Sequence, residues 1–247
     1  FGFSCHEVTD LGRLFFRGTL PPSYLSKSDA VSFEWRSNYI RSFIERDVKN
    51  MGIDLPTATF RRFMEMLVFY HGQIINFSEI GSSLGISHPS VRKYIDILAG
   101  AFLLRELRPW HESILKRQVK MPKIYFKDSG LAISLMGVRS KKELSKNPKI
   151  GPLWEGFAME EVIKQLKMEN EDLYFWSVHQ GTELDLFWKS KNQRIGFEFK
   201  YSDRPAVTKS MQQSIEYLKL EKLIIIYPGD KRSYLTKNIE LVPLAAL

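Results

Sequence analysis

Apolar residues recur at helical spacing through the first part of the chain, at Tyr39, Ile40, Phe43, Ile44 and Val48 and again at Phe63, Met66, Leu67 and Tyr70. That spacing is the signature of amphipathic helices with one face to bury. Pro21 and Pro22 interrupt the first run, and residues 52–57, with Pro56, separate the two helices. From Asn76 the pattern shortens: Ser78 is placed to cap a helix through Leu84, Gly85 to turn the chain, and Ser87 to cap a second helix with Pro89 in its first turn. Ile80, Leu84, Ile86, Val91, Ile95 and Leu98 supply a small core. Strands follow at 102–107 and 124–127, so residues 63–140 read as a winged helix-turn-helix behind a helical segment of residues 1–62. Residues 141–150 form a charged linker. Beyond it the period changes: a helix over 152–167, strands over 173–178, 183–188 and 194–200, a helix over 206–220 and a strand over 223–227, with 239–242 as an edge strand. Residues 151–247 are therefore an α-β-β-β-α-β domain, and the fold class is α/β (α+β).

Composition narrows the picture. A chain of 247 residues with 44% hydrophobic residues buries a substantial core. The formal charge of +8 favours polyanionic partners such as DNA. One cysteine, Cys5, excludes an intramolecular disulfide and a multi-cysteine zinc site, and fits the cytoplasm. No apolar run approaches the roughly 20 residues that cross a bilayer, so no membrane association is expected. The chain opens on Phe1 without a secretion signal and reads as part of a longer protein.

The candidate chemistry lies on two neighbouring strands. Alternation puts Glu183 and Asp185 on one face with Leu184 and Leu186 on the other, and Phe197 and Phe199 opposite Glu198 and Lys200. If the strands pair as a hairpin, Asp185 and Glu198 converge as a hard oxygen site for Mg²⁺ or Mn²⁺, with Lys200 beside it to offset charge on a phosphate. An exposed Glu-x-Lys is also how a solvated ion pair looks. In the preceding helix Glu155 is the expected further metal ligand, while Glu160 and Glu161 are expected to form a surface face or an ion pair with Lys164 one turn on. Nucleic-acid contacts are expected from His88, Ser90, Arg92 and Lys93 on the second helix of the helix-turn-helix, and from Lys116, Arg117, Lys120 and Lys123 in the wing. Winged helices also dock proteins, and that alternative stays open.

Asp185 with Glu198-Phe199-Lys200 resembles the motif of the PD-(D/E)XK nuclease superfamily. The chain as a whole resembles the C-terminal region of a group of predicted archaeal and bacterial AAA-type ATPases. Arg17-Gly18-Thr19-Leu20-Pro21-Pro22, Trp35-Arg36, Glu45-Arg46-Asp47, Ser90-Val91-Arg92-Lys93-Tyr94, residues 122–130, Glu155-Gly156-Phe157 and residues 181–185 carry that resemblance. It implies a restriction-endonuclease-like domain cleaving phosphodiesters with Mg²⁺, or a non-catalytic binding module of an ATPase, and a P-loop module N-terminal to this region. No G-x-x-x-x-G-K-[ST] loop is present, so no ATP site is expected within the chain. Thr19 stands where the resemblance would have a second glycine. Glu45-Arg46-Asp47 has no derived role; an intrahelical or interdomain salt bridge is the expected reading, with an arginine reaching toward a nucleotide as the alternative.

Overall fold

In the computed structural model, residues 2–111, 121–178, 181–190 and 193–247 are described. The fold is mixed α and β, in two compact units: residues 1–106 with 124–156, and residues 107–123 with 157–247. Among the described residues no helix is long and apolar enough to cross a membrane.

The first unit runs through α1 (Leu11–Arg17), α2 (Pro21–Tyr24) and α3 (Asp29–Ser42), which continues through a π-helical turn (Phe43–Asp47) into α4 (Val48–Asn50). Then come α5 (Thr57–Phe69), β1 (Gln73–Ile74), α6 (Phe77–Leu84), α7 (His88–Gly100), half of β2 (Leu104–Pro109), most of β3 (Lys123–Phe126), α8 (Ser129–Leu135) and α9 (Lys141–Leu144). The strand order here is β1-β3-β2. Helix α9 occupies the segment expected as a linker. The helix-turn-helix forms as expected in three respects: Gly85 takes the left-handed conformation at φ 68°, Ser87 accepts from the Ser90 N–H, and Pro89 sits in the first turn. Its first cap differs. Asn76, extended at φ −112°, accepts the Glu79 N–H, so Ser78 lies inside the helix. Ile80, Val91, Ile95 and Leu98 are fully buried with Phe60, Phe63 and Leu67 of α5.

Residues 15–19, Ser23, Arg36 and residues 128–129 meet in one buried polar knot. The last turn of α1 leaves the carbonyls of Phe15, Phe16 and Arg17 without helical partners. Ser129 Oγ donates to Phe15 O (2.7 Å), Arg36 Nη1 to Phe16 O (2.7 Å) and Ser23 Oγ to Arg17 O (2.6 Å). Asp128 caps α8 through the Leu131 N–H and takes both the Thr19 N–H (2.7 Å) and the Thr19 hydroxyl (2.9 Å) on its other oxygen. Thr19 thus adds a donor that a glycine would lack. Arg36 has no exposed surface, and burial lowers its pKa to about 10, with Asp128 and Asp29 opposing.

Glu45, Arg46 and Asp47 are exposed on the π-helical turn. None of them makes an ion pair among the described residues, so the intrahelical bridge does not form. The wider turn breaks the i,i+4 spacing such pairs use.

Helix α10 (Ile150–Gln165) passes from the first unit to the second at residue 156. The second unit continues with β4 (Leu173–Val178), β5 (Thr182–Ser190), β6 (Gln193–Phe199), α11 (Lys209–Leu218), β7 (Lys222–Tyr227), β8 (Ser233–Tyr234) and β9 (Ile239–Pro243). Its strand order is β2-β4-β5-β6-β7-β9-β8. Arg108 and Pro109 of β2 lie parallel to β4, β4-β5-β6 is antiparallel, and β6-β7-β9 is parallel. The segment expected at the sheet edge, β9, is internal and wholly buried, with β8 covering its outer side. Its burial includes Glu240, 1% exposed, whose carboxylate is compensated by Lys222 and Arg232. Leu184, Phe187, Met211, Leu218, Leu223, Ile225 and Leu241 share one core with Trp176.

Candidate metal site

The site begins with a defect in β5. Tyr174 pairs with Phe187 and Trp176 with Leu184, so β4 advances two residues while β5 advances three. That β-bulge brackets Asp185, and it puts Leu184 and Phe187, three apart, into one core. Plain alternation, expected for this strand, therefore fails at the candidate acid. Bulges re-aim a side chain and recur beside active sites.

Asp185 is buried at 6% exposure and Glu198 at 4%. Lys200 Nζ lies 2.5 Å from Glu198 Oε2 and 3.7 Å from Asp185 Oδ2. The three side chains expected to cooperate are thus together, with the ammonium between two carboxylates and 37% of the lysine side chain exposed. Asp185 Oδ2 also accepts the Phe199 N–H at 3.0 Å. A buried anion holding a main-chain donor on the neighbouring strand is oriented as well as compensated.

Two carboxylates suit Mg²⁺, which takes one or two from the protein and completes its shell with water and phosphate oxygens. The donor set fits that ion. Among the described residues no group of three or more His, Cys, Asp or Glu side chains is gathered to hold a metal. Glu155 lies in the first unit, where its carboxylate accepts the Tyr125 hydroxyl at 2.6 Å. Glu161, expected on the surface, is 2% exposed, on the side of α10 that also buries Ala158 and Val162.

Glu183 does not join the carboxylate pair. Its side chain is held by Lys123, whose ammonium lies 5.6 Å from the Phe175 ring centre. Lys123, expected in a basic wing, is 2% exposed, and its buried charge is compensated by Glu183. Lys116, Arg117 and Lys120 lie outside the described residues.

On α7 an open groove is lined by His88, Pro89, Arg92, Lys93, Asp96 and Ile97. Its cations have internal partners. Arg92 meets Asp96 at 2.5 Å and Glu106 at 2.8 Å, and Lys93 Nζ donates to Gly52 O at 3.2 Å. Burial pulls the Arg92 pKa down, but the two carboxylates outweigh it and the net shift is upward. Ser90 pairs with Ser87, and His88 stands edge-on to Phe77.

Residues that the sequence pattern missed hold the site from outside. Ser210 of α11 accepts the Glu183 N–H at 2.8 Å and donates to the Glu183 carbonyl at 2.7 Å; Thr182 donates to Gln213 Oε1 at 2.7 Å. Ser210 has main-chain partners, so no residue pairing in the sequence signals it.

Residues 150–247 match the model of a family described as a domain of unknown function, DUF4143. Mb2031c of Mycobacterium bovis and Rv2008c of Mycobacterium tuberculosis, both described as uncharacterized proteins, are each 40% identical over 241 residues, covering 96% of this chain and 54% of theirs. The chain spans about half the length of these relatives. No solved structure matches it. Residues 8–142, more than half of the chain, match the domain of unknown function DUF8612, and the protein belongs to that family.

Proposed function

We propose that the second unit is a Mg²⁺-dependent phosphodiester hydrolase acting on DNA, in which Asp185 and Glu198 hold the ion and Lys200 faces the phosphate. The observation that carries this reading is the convergence of one ammonium and two buried carboxylates from adjacent strands. Burial supports it, because a low-dielectric setting strengthens the hold of both acids on a cation. When bound, Mg²⁺ would polarise a phosphoryl oxygen and acidify water. Lys200, the most exposed of the three, offsets negative charge as it grows on the phosphate. The helix-turn-helix would supply DNA contact. The intact protein would add an ATPase module, a reading supported by relatives nearly twice as long as this chain.

Incubation with duplex, branched and single-stranded DNA in Mg²⁺ or Mn²⁺ tests the reading. Chelator-sensitive cleavage, lost in Asp185→Ala and Lys200→Ala, is expected; no cleavage of any substrate, or cleavage indifferent to chelator, sinks it. One observation favours a second reading, a non-catalytic DNA- or protein-binding regulatory module of an ATPase: Lys200 already compensates Glu198 at 2.5 Å. Salt-dependent DNA binding without any cut would select it.

A further inference from the structure

The ladder between β5 and β6 stops short of the site, and side chains take over its missing rungs. Its pairs run from Ser190–Gln193 to Leu186–Phe197. Continued in register, Asp185 would oppose Glu198 and Glu183 would oppose Lys200. The strands part there instead. The Phe199 N–H, which faces β5, is taken by the Asp185 carboxylate, while the Lys200 N–H continues the parallel ladder to Ile226 O on β7 (2.9 Å). On the β5 side, Glu183 has lost a strand partner for both its N–H and its C=O, and the Ser210 hydroxyl satisfies both.

We propose that Ser210 is a positioning residue for the metal site. By bracketing Glu183 it holds β5 away from β6 and pins the main chain two residues before Asp185, so that the carboxylate crosses the bulge to Phe199. This rests on the reading of Asp185 as a metal ligand. The Glu183 side chain is committed elsewhere, to Lys123, so Ser210 acts through backbone alone. The gap it maintains between the strands is where the two acids and Lys200 gather.

The test uses the whole chain with Mn²⁺ as probe, comparing wild type with Ser210→Ala, Ser210→Thr and Ser214→Ala. Ser214 is the control: its hydroxyl donates to Ser210 O within α11 and to no β5 group among its hydrogen bonds. Calorimetric titration should show about a tenfold loss of Mn²⁺ affinity in Ser210→Ala, the lower end for removing a group that orients a ligand. Amide exchange at Phe199, the reporter of Asp185 placement, should quicken in the same variant. Ser210→Thr should restore both, and Ser214→Ala should change neither, whatever each does to thermal stability. Ser210→Ala matching Ser214→Ala in both readouts overturns the proposal. If wild type binds no Mn²⁺, the metal reading fails, and Phe199 exchange alone then decides: quickening in Ser210→Ala sustains the positioning role, and no change ends it.

Discussion

At the scale of single residues, Asp185 carries two duties that substitution separates. Asparagine keeps an acceptor for the Phe199 N–H, whereas alanine orphans a buried donor at a cost of about 1–3 kcal/mol. Asp185→Asn should therefore unfold in urea near the wild-type midpoint and Asp185→Ala well below it, while both lose Mn²⁺ binding. His71 gives a second residue-scale expectation. It is 1% exposed, its Nδ1 accepts the Phe126 N–H at 3.0 Å, and its Nε2 has no partner of good geometry. Burial lowers its pKa to about 3 against an opposing pull from the Pro152 carbonyl, with Lys149 lowering it further. Gly156 of α10 leaves room for the ring, since a Cβ there would run into Nε2. Between about pH 3 and the unfolded value near 6.5 the unfolded chain holds the extra proton, so stability rises with pH across that window. It is lost as pH falls, at up to about 1.4 kcal/mol per pH unit. Urea midpoints at pH 4 to 7 should show a shallower slope in His71→Asn, which keeps an acceptor for Phe126.

Among elements, the helix-turn-helix separates conformational from steric cost. Gly85 is left-handed with open space around it, so Gly85→Ala should cost about 1–2 kcal/mol from backbone conformation alone. Gly81 is an ordinary helical residue, but a Cβ there would lie 2.6 Å from Ile86 O, main chain that cannot step aside. Gly81→Ala should thus be the more damaging of the two in thermal denaturation, the reverse of an order argued from φ. The knot of Asp128, Thr19, Arg36 and Ser129 has a similar logic. Polar side chains complete the hydrogen bonding of one helix end and one helix start.

Over the whole molecule, the charge of +8 sets a field that favours polyanions in general, yet Arg92 of α7 is spent on carboxylates inside the protein. Releasing it should tell. If α7 lies on DNA, Asp96→Asn loosens Arg92, tightens duplex binding and steepens the fall of affinity with salt. Unchanged affinity and slope in Asp96→Asn would take α7 off the nucleic acid.

The sequence by itself determined the order of the main helices and strands, though not α9, β1 or β8, and the turn between α6 and α7 with Gly85 and Ser87 at its joints; it singled out Asp185, Glu198 and Lys200 by residue type and spacing. The elements follow from local periodicity and capping chemistry. Tertiary structure decided the bulge at Asp185, the placement of Ser210 against Glu183, the burial of Lys123 and Glu161, and the internal position of β9. The physical reason is common to all of them. A register shift needs the neighbouring strand, a hydroxyl that bonds main chain is blind to the identity of its partner, and a charge is buried or exposed according to what folds over it.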